Sequence, residues 1–146
     1  MNLILDGHHY KYELESLANM FFHENKVRVV EEKDFSQGEY LYTSLSRNMD
    51  GIITLKVVTR LEEKLREEEF QGRPDKTDPD RFCEYHLCRM LYQQLEKATG
   101  ISLAWGMLTG VRPVRLVYRY RERGMDDKQI REHLHRDYFV TDEKID

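Results

Sequence analysis

The front half of the chain alternates between strand-like and helix-like patterns. The segment NLILD at residues 2–6 is a short apolar strand that ends at Gly7. After it, apolar residues recur at the spacing of one helix face and predict a helix that ends between residues 23 and 26. These residues are Leu14, Leu17, Ala18, Phe21 and Phe22.

Three strand patterns follow: VRVVEE at 27–32, EYLYTSLSR at 39–47 and GIITLKVVTRL at 51–61. Apolar or small residues alternate with polar ones in the last two, and Asp50-Gly51 between them is a strong hairpin signal. The predicted fold class is therefore α+β, with a small, mainly antiparallel β-α-β-β-β sheet followed by a C-terminal helical segment.

A charged connector, LEEKLREEEFQGRPDKTDP at 61–79, separates the two parts. Its acidic run at 62–69 could extend a strand, form a short helix or lie free in solvent; the pattern favours a solvated face but does not decide between the three. Asp78-Pro79 then predicts a helix that reaches about Ala98 and ends at Gly100. Its inward residues are predicted to be Leu87, Met90, Leu91, Leu95 and Ala98.

Two more helices are predicted after the glycine-containing loop at 105–112. The first runs from Pro113 to about Arg123, and the second is MDDKQIREHLHRDY at 125–138. We therefore expect one domain, 1–146, with an α/β front part at 1–72 and a helical part at 78–140. Thr141 resembles an N-cap with no helix body after it, which suggests a chain truncated from a longer protein.

Charge is distributed unevenly along the chain. The whole chain carries −4, whereas residues 105–136 contain eight Lys or Arg against four Asp or Glu. With 40% apolar residues the chain can form a core. Its two cysteines, Cys83 and Cys88, lie on different sides of one predicted helix, which favours free thiols and a cytoplasmic location. No signal peptide or membrane-spanning segment is evident.

The arginines are the main candidate binding residues. Arg112, Arg115, Arg119 and Arg123 are spaced to share one helix face, with Val114, Val117 and Tyr118 expected to pack inward. Such a row can bind carboxylates, phosphates or nucleic acid. It can equally be an ordinary solvated face, and this second interpretation is favoured on the pattern alone.

The loop before this helix has two interpretations as well. Gly106 and Gly110 permit positive φ, and a glycine turn entering a helix can bind an anion. Alternatively the loop is a tight corner with Trp105 in the core. We expect no catalytic residue and no metal site: Cys83, His86 and Cys88 do not converge, and no nucleophile motif is present. His8 and His9 are expected to be exposed.

Three segments carry a resemblance to a known family: LCRMLYQQLEKATG, LAWGMLTGVRPVRL and RERGMDDKQIREHLHRDYFVTDEK. They resemble the N-terminal region of HemZ-type coproporphyrinogen dehydrogenases, which are oxygen-independent coproporphyrinogen III oxidases and related radical-SAM proteins of haem biosynthesis. The resemblance is most specific at Trp105, Gly106, residues 108–110, Arg112-Pro113 and Asp137-Tyr138.

The resemblance implies a non-catalytic accessory domain, truncated before a radical-SAM domain that would bind a [4Fe–4S] cluster and S-adenosylmethionine. The full-length protein would convert coproporphyrinogen III to protoporphyrinogen IX by oxidative decarboxylation. Candidate contacts to the anionic tetrapyrrole or to the protein's own radical-SAM domain are Arg112, Arg115, Arg119, Trp105 and Gly110. The alternatives are a nucleic-acid-binding module, against which the overall acidity argues, and a purely structural interdomain packing role.

Overall fold

A computed structural model describes residues 1–22, 26–30, 32–33, 35–36, 38–103, 106–107 and 112–140, the side chains of 112–115 excepted. The chain comprises two units, Met1–Ile101 and Ser102–Asp146. In the described part no helix is long and apolar enough to cross a bilayer. Predictions that concern Trp105, Gly110 and Thr141 fall outside the described residues.

The first unit contains one sheet of five strands and two helices. In chain order these elements are β1 (Asn2–Asp6), α1 (Lys11–Asn19), β2 (Arg28–Val30), β3 (Tyr40–Arg47), β4 (Ile53–Leu61), β5 (Lys64–Gly72) and α2 (Pro79–Thr99). The strand order is β2-β1-β3-β4-β5.

The sheet is mixed, and its longest ladders are antiparallel. β3 pairs antiparallel with β4, and β4 with β5. β1 lies between β2 and β3 and is parallel to both, because α1 carries the chain back to the same end of the sheet before β2 begins. The predicted α+β class with a mainly antiparallel sheet is confirmed, with one further strand.

That further strand, β5, is formed by the acidic connector. Residues 64–69 extend the sheet as a strand, one of the three interpretations left open, and most side chains of this strand are exposed, as expected of a solvated face. A two-residue turn joins β4 to β5, and both of its residues, Glu62 and Glu63, have positive φ (51° and 64°). Such a turn matches the twist of a hairpin. The Glu39 carboxylate accepts a hydrogen bond from the Glu62 backbone N–H at 3.0 Å.

The core of the first unit lies between the sheet and the two helices. α2 packs on β4 and against α1. It begins and ends as predicted: the Asp78 side chain accepts from the Arg81 N–H, and Gly100 adopts a left-handed conformation with φ of 73°. A buried polar link also joins α2 to β4, since Thr59 Oγ1 donates to Gln94 Oε1 at 2.8 Å and Gln94 Nε2 donates to the Val57 carbonyl at 2.9 Å.

The second unit contains two helices, α3 (Arg112–Glu122) and α4 (Asp127–Tyr138). Asp126 caps α4 in a reciprocal capping box with Gln129. The core of this unit consists of five buried side chains: Leu116, Tyr120, Ile130, Leu134 and Val140. The preceding helix, α2, belongs to the first unit.

Candidate functional site

The predicted arginines lie on α3. Arg112 is the first residue of this helix, and Arg115 and Arg119 follow about one and two turns later. Their backbone positions therefore share one side of the helix, as the spacing predicted. Of the three side chains only that of Arg119 belongs to the described part of the protein.

Arg119 is partly buried, and one of its guanidinium nitrogens is in an unusual position. Nη1 is inaccessible to solvent and has no hydrogen-bond partner within the described part of the chain. A buried donor without an acceptor costs about 1–3 kcal/mol, and more when the donor is charged. The guanidinium of Arg119 therefore has hydrogen-bonding capacity that these residues do not satisfy.

The packing face of α3 agrees only in part with the predicted one, since Val117 packs against the core as expected. Leu116 and Tyr120, four residues apart, face the apolar side chains of α4. Tyr118, which was expected to point inward, is 64% exposed, so that prediction is wrong. Arg119 lies about 100° around the helix from Tyr120, beside the buried face, which agrees with its partial burial.

The corner before α3 is built on Gly106. This residue has φ of +58°, and a Cβ placed on it would lie 2.0 Å from the Tyr138 carbonyl oxygen and 2.6 Å from that of Phe139. The next residue, Met107, donates its backbone N–H to the same Tyr138 oxygen at 2.9 Å. Only glycine fits this approach, so around Gly106 the structure supports the interpretation as a tight corner.

The Asp137 carboxylate, next to the Gly106–Tyr138 contact, interacts with side chains of its own helix. Its Oδ2 lies 3.2 Å from His133 Nδ1, and its Oδ1 accepts from Arg136 Nε at 3.1 Å. These contacts join the last turns of α4 just before the helix ends at Phe139, which is left-handed with φ of 61°. The Asp137 carboxylate thus stabilises the end of the helix that Gly106 contacts.

Comparison with known proteins gives one informative match. No protein-family model matches the chain. Among curated proteins, it is 30% identical over 136 residues to the "Oxygen-independent coproporphyrinogen-III oxidase-like protein HemZ" of Bacillus subtilis (strain 168). The match covers 90% of the chain and 26% of the relative. The chain is a homologue of part of HemZ. The resemblance predicted from the sequence is thereby confirmed, and the chain spans about a quarter of the HemZ length.

Two of the segments that carry the resemblance meet in the structure. Gly106 and Asp137-Tyr138 are far apart in sequence, yet they meet through the Tyr138 carbonyl. Gly106 permits the approach, and the Tyr138 carbonyl accepts the Met107 N–H beside it. Gly106 therefore has an architectural role in this chain.

The cysteines do not fit the iron–sulfur cluster that the resemblance implies for a radical-SAM domain. Cys83 and Cys88 are buried in α2, and no disulfide joins them in the described part of the chain. Burial raises the pKa of Cys83, which disfavours the thiolate that metals bind. The described residues contain no group of three His, Cys, Asp or Glu able to hold a metal ion. No step of cluster chemistry is therefore assigned to these residues.

The burial of His8 was not predicted from the sequence. This residue was expected to be exposed, but it is only 8% exposed. Its Nδ1 accepts the Tyr10 backbone N–H at 3.2 Å, which leaves Nε2 to donate to Thr43 Oγ1 at 2.8 Å. Burial lowers the pKa of His8 to about 4, so the ring is neutral at pH 7. A hydrophilic pair, His8-His9, gave no signal of this burial.

Proposed function

We propose that the chain is an accessory region of a longer HemZ-like protein, in which it assists an oxygen-independent coproporphyrinogen III oxidase-type reaction without contributing catalytic groups. The observation that carries this proposal is the 30% identity to HemZ over 90% of the chain. The [4Fe–4S] cluster, S-adenosylmethionine and the oxidative decarboxylation would belong to a radical-SAM domain of the longer protein.

We further propose that α3 contacts carboxylates, those of the tetrapyrrole propionates in the first instance. The positions of Arg112, Arg115 and Arg119 on one side of a helix support this role. So does the buried Nη1 of Arg119, which needs an acceptor that the described residues do not provide. Guanidinium and carboxylate groups form short, charge-assisted and often bidentate hydrogen bonds.

Docking of α3 against the radical-SAM domain is the second candidate, since a carboxylate of that domain would satisfy Arg119 equally well. The two roles differ in what a substitution changes. Loss of a substrate contact weakens tetrapyrrole affinity, whereas loss of a docking contact weakens the association between domains and lowers the melting temperature.

The test uses the full-length protein encoded by the gene. Its sequence should contain C-x₃-C-x₂-C, and the absence of this spacing would remove the assignment to a radical-SAM protein. Affinity for coproporphyrinogen III is then compared between Arg119→Ala and Arg121→Ala. Arg121 is a matched control because it lies on the same helix and, among the described residues, forms an exposed ion pair with Asp127 at 3.7 Å.

For a substrate contact, we expect Arg119→Ala to weaken binding roughly tenfold or more, because a hydrogen bond to a charged group contributes about 1.5–3 kcal/mol. Its melting temperature should stay equal to that of Arg121→Ala. Unchanged affinity with a lower melting temperature would instead assign Arg119 to interdomain docking. Equal behaviour of the two variants in both measurements would leave the arginine row as a solvated face and refute both roles.

A further inference from the structure

The hairpin between β3 and β4 carries Met49 at its tip, in a turn whose shape does not depend on the Met49 side chain. Asn48 Oδ1 accepts from the backbone N–H groups of Asp50 and Ile52, both at 2.9 Å. The Asn48 backbone N–H donates to the Ile52 carbonyl at 3.0 Å, and Gly51 supplies a positive φ of 80°. The turn is therefore fixed by backbone groups and by the Asn48 side chain.

The sulfur atoms of the chain differ widely in their access to solvent. The chain contains six methionines and two cysteines. Met49 is fully exposed, and Met20 follows at 36% exposed. Met1 and Met125 are half-buried. The remaining four sulfur-containing side chains are buried: Cys83, Cys88, Met90 and Met107. Met49 therefore presents the most accessible sulfur atom of the chain.

This accessibility matters for oxidation, because a peroxide must reach the sulfur atom of a thioether to oxidise it. A sulfur lone pair attacks one peroxide oxygen, the O–O bond breaks, and the second oxygen leaves as water. The sulfur loses two electrons and the peroxide gains them, so no further reactant is required. A cysteine thiolate would compete for the peroxide, but both thiols are buried, and burial raises the pKa of Cys83.

The product would have different consequences at different methionines. A sulfoxide converts an apolar side chain into a polar one. At Met49 the new oxygen lies in water, and no hydrogen bond of the turn involves the side chain that changes. At Met90 or Met107 the same oxygen would lie in a buried site, where a polar group without a partner is destabilising.

We propose that Met49 is a site of reversible oxidation by peroxides, which convert it to the sulfoxide before the other methionines and leave the fold intact. The reverse reaction belongs to a thiol-dependent sulfoxide reductase, in which two thiols form a disulfide and the sulfoxide oxygen leaves as water. Such an enzyme must enclose the side chain, and the fully exposed hairpin tip permits this. This inference does not depend on the role proposed for α3.

The test is treatment of the full chain with limiting hydrogen peroxide, followed by mass spectrometry of its proteolytic peptides. The Met49 sulfoxide should form at least roughly tenfold faster than the sulfoxides of Met90 and Met107, and faster than that of Met20. In concentrated urea these rates should become equal, because the fold and not the local sequence determines their order. Another methionine that reacts faster in the folded protein, or an order that persists in urea, would overturn the proposal.

Matched variants and the melting temperature test the remaining parts. Met49→Leu should remove the fast oxidation, whereas Met20→Leu should leave it unchanged. The protein oxidised at Met49 alone should keep the melting temperature of the unoxidised protein, and a lower value would contradict the silent role of this side chain. Reductases specific for the two sulfoxide epimers, with a thiol reductant, should restore the original mass. A sulfoxide that these enzymes leave unchanged would refute the reversibility.

Discussion

Replacing Gly106 by alanine should unfold the second unit, because two separate costs combine at this residue. The φ of +58° is unfavourable for any residue with a Cβ, by about 1–2 kcal/mol. The new Cβ would also lie 2.0 Å from the Tyr138 oxygen, and both atoms that it meets most closely belong to the backbone. The chain must shift by about an ångström, which breaks the Met107–Tyr138 hydrogen bond at a further cost of about 1 kcal/mol.

The sum, with the packing that is lost around the displaced end of α4, is about 3–5 kcal/mol. A unit of this size has little stability to lose. Hydrogen exchange of the α4 backbone amides, including those of Ile130 and Leu134, measures the effect directly. We expect these amides to lose most of their protection in Gly106→Ala.

Gly124→Ala is the matched control. Gly124 also has a positive φ, of +81°, and belongs to the same unit, but a Cβ placed on it meets nothing within 4 Å. This variant should cost only about 1 kcal/mol, so the difference between the two isolates the contact with Tyr138. If the two variants lose protection to the same extent, the close approach of Gly106 is not what requires a glycine.

Two other predictions concern the first unit. Below about pH 6.5 the unfolded chain protonates His8 while the folded state, with its pKa of about 4, does not, so stability present at neutral pH is lost as the pH falls through this window. The free energy of unfolding should fall by about 2–3 kcal/mol by pH 4. In His8→Gln, the free energy of unfolding measured with urea should depend less on pH, and an unchanged pH dependence would refute this role of His8. Replacing the turn residues by E62N and E63G should raise stability by about 1 kcal/mol in the same assay, since asparagine and glycine favour positive φ, and a decrease would contradict the turn geometry.

The parts of the fold that could be predicted are those determined by local chemistry. Asp78-Pro79 and Gly100 mark the ends of α2 because capping depends on residues within one turn of the helix end. The alternating residues of β3 and β4 correctly identify the buried face, including Leu41, Ile53 and Val57. The strand and helix patterns in these segments agree with the tertiary packing.

The sequence did not decide for a strand at β5, because the two usual signals of a hairpin strand are missing. The turn before it contains Glu62-Glu63 in place of an asparagine or glycine, although both residues have positive φ. The strand is an edge, so its acids remain at least partly in solvent and no regular apolar alternation appears. The strand is held in place by its pairing with β4 and by the Lys56–Glu67 ion pair, which are contacts to another strand and not local signals.

The candidate site was predicted only in outline. Helical spacing placed Arg112, Arg115 and Arg119 on one side of α3, but it did not identify the side that packs. The side of α3 that packs is determined by α4, because Ile130 and Leu134 form the buried cluster with Leu116 and Tyr120. The burial of His8 could not be predicted either, because its hydrogen-bond partner Thr43 lies on a strand distant in sequence.

The position of β1 within the sheet has a consequence for the order of folding. The β3–β4–β5 meander joins neighbours in sequence through short turns, and it can form from local contacts alone. β1 must instead pair with a strand some forty residues away, Asn2 with Tyr40, and it must enter between β2 and β3. Long-range parallel pairing requires closure of a large loop and is slow. The meander is therefore expected to form first and to serve as the template on which the N-terminal β1-α1-β2 segment docks.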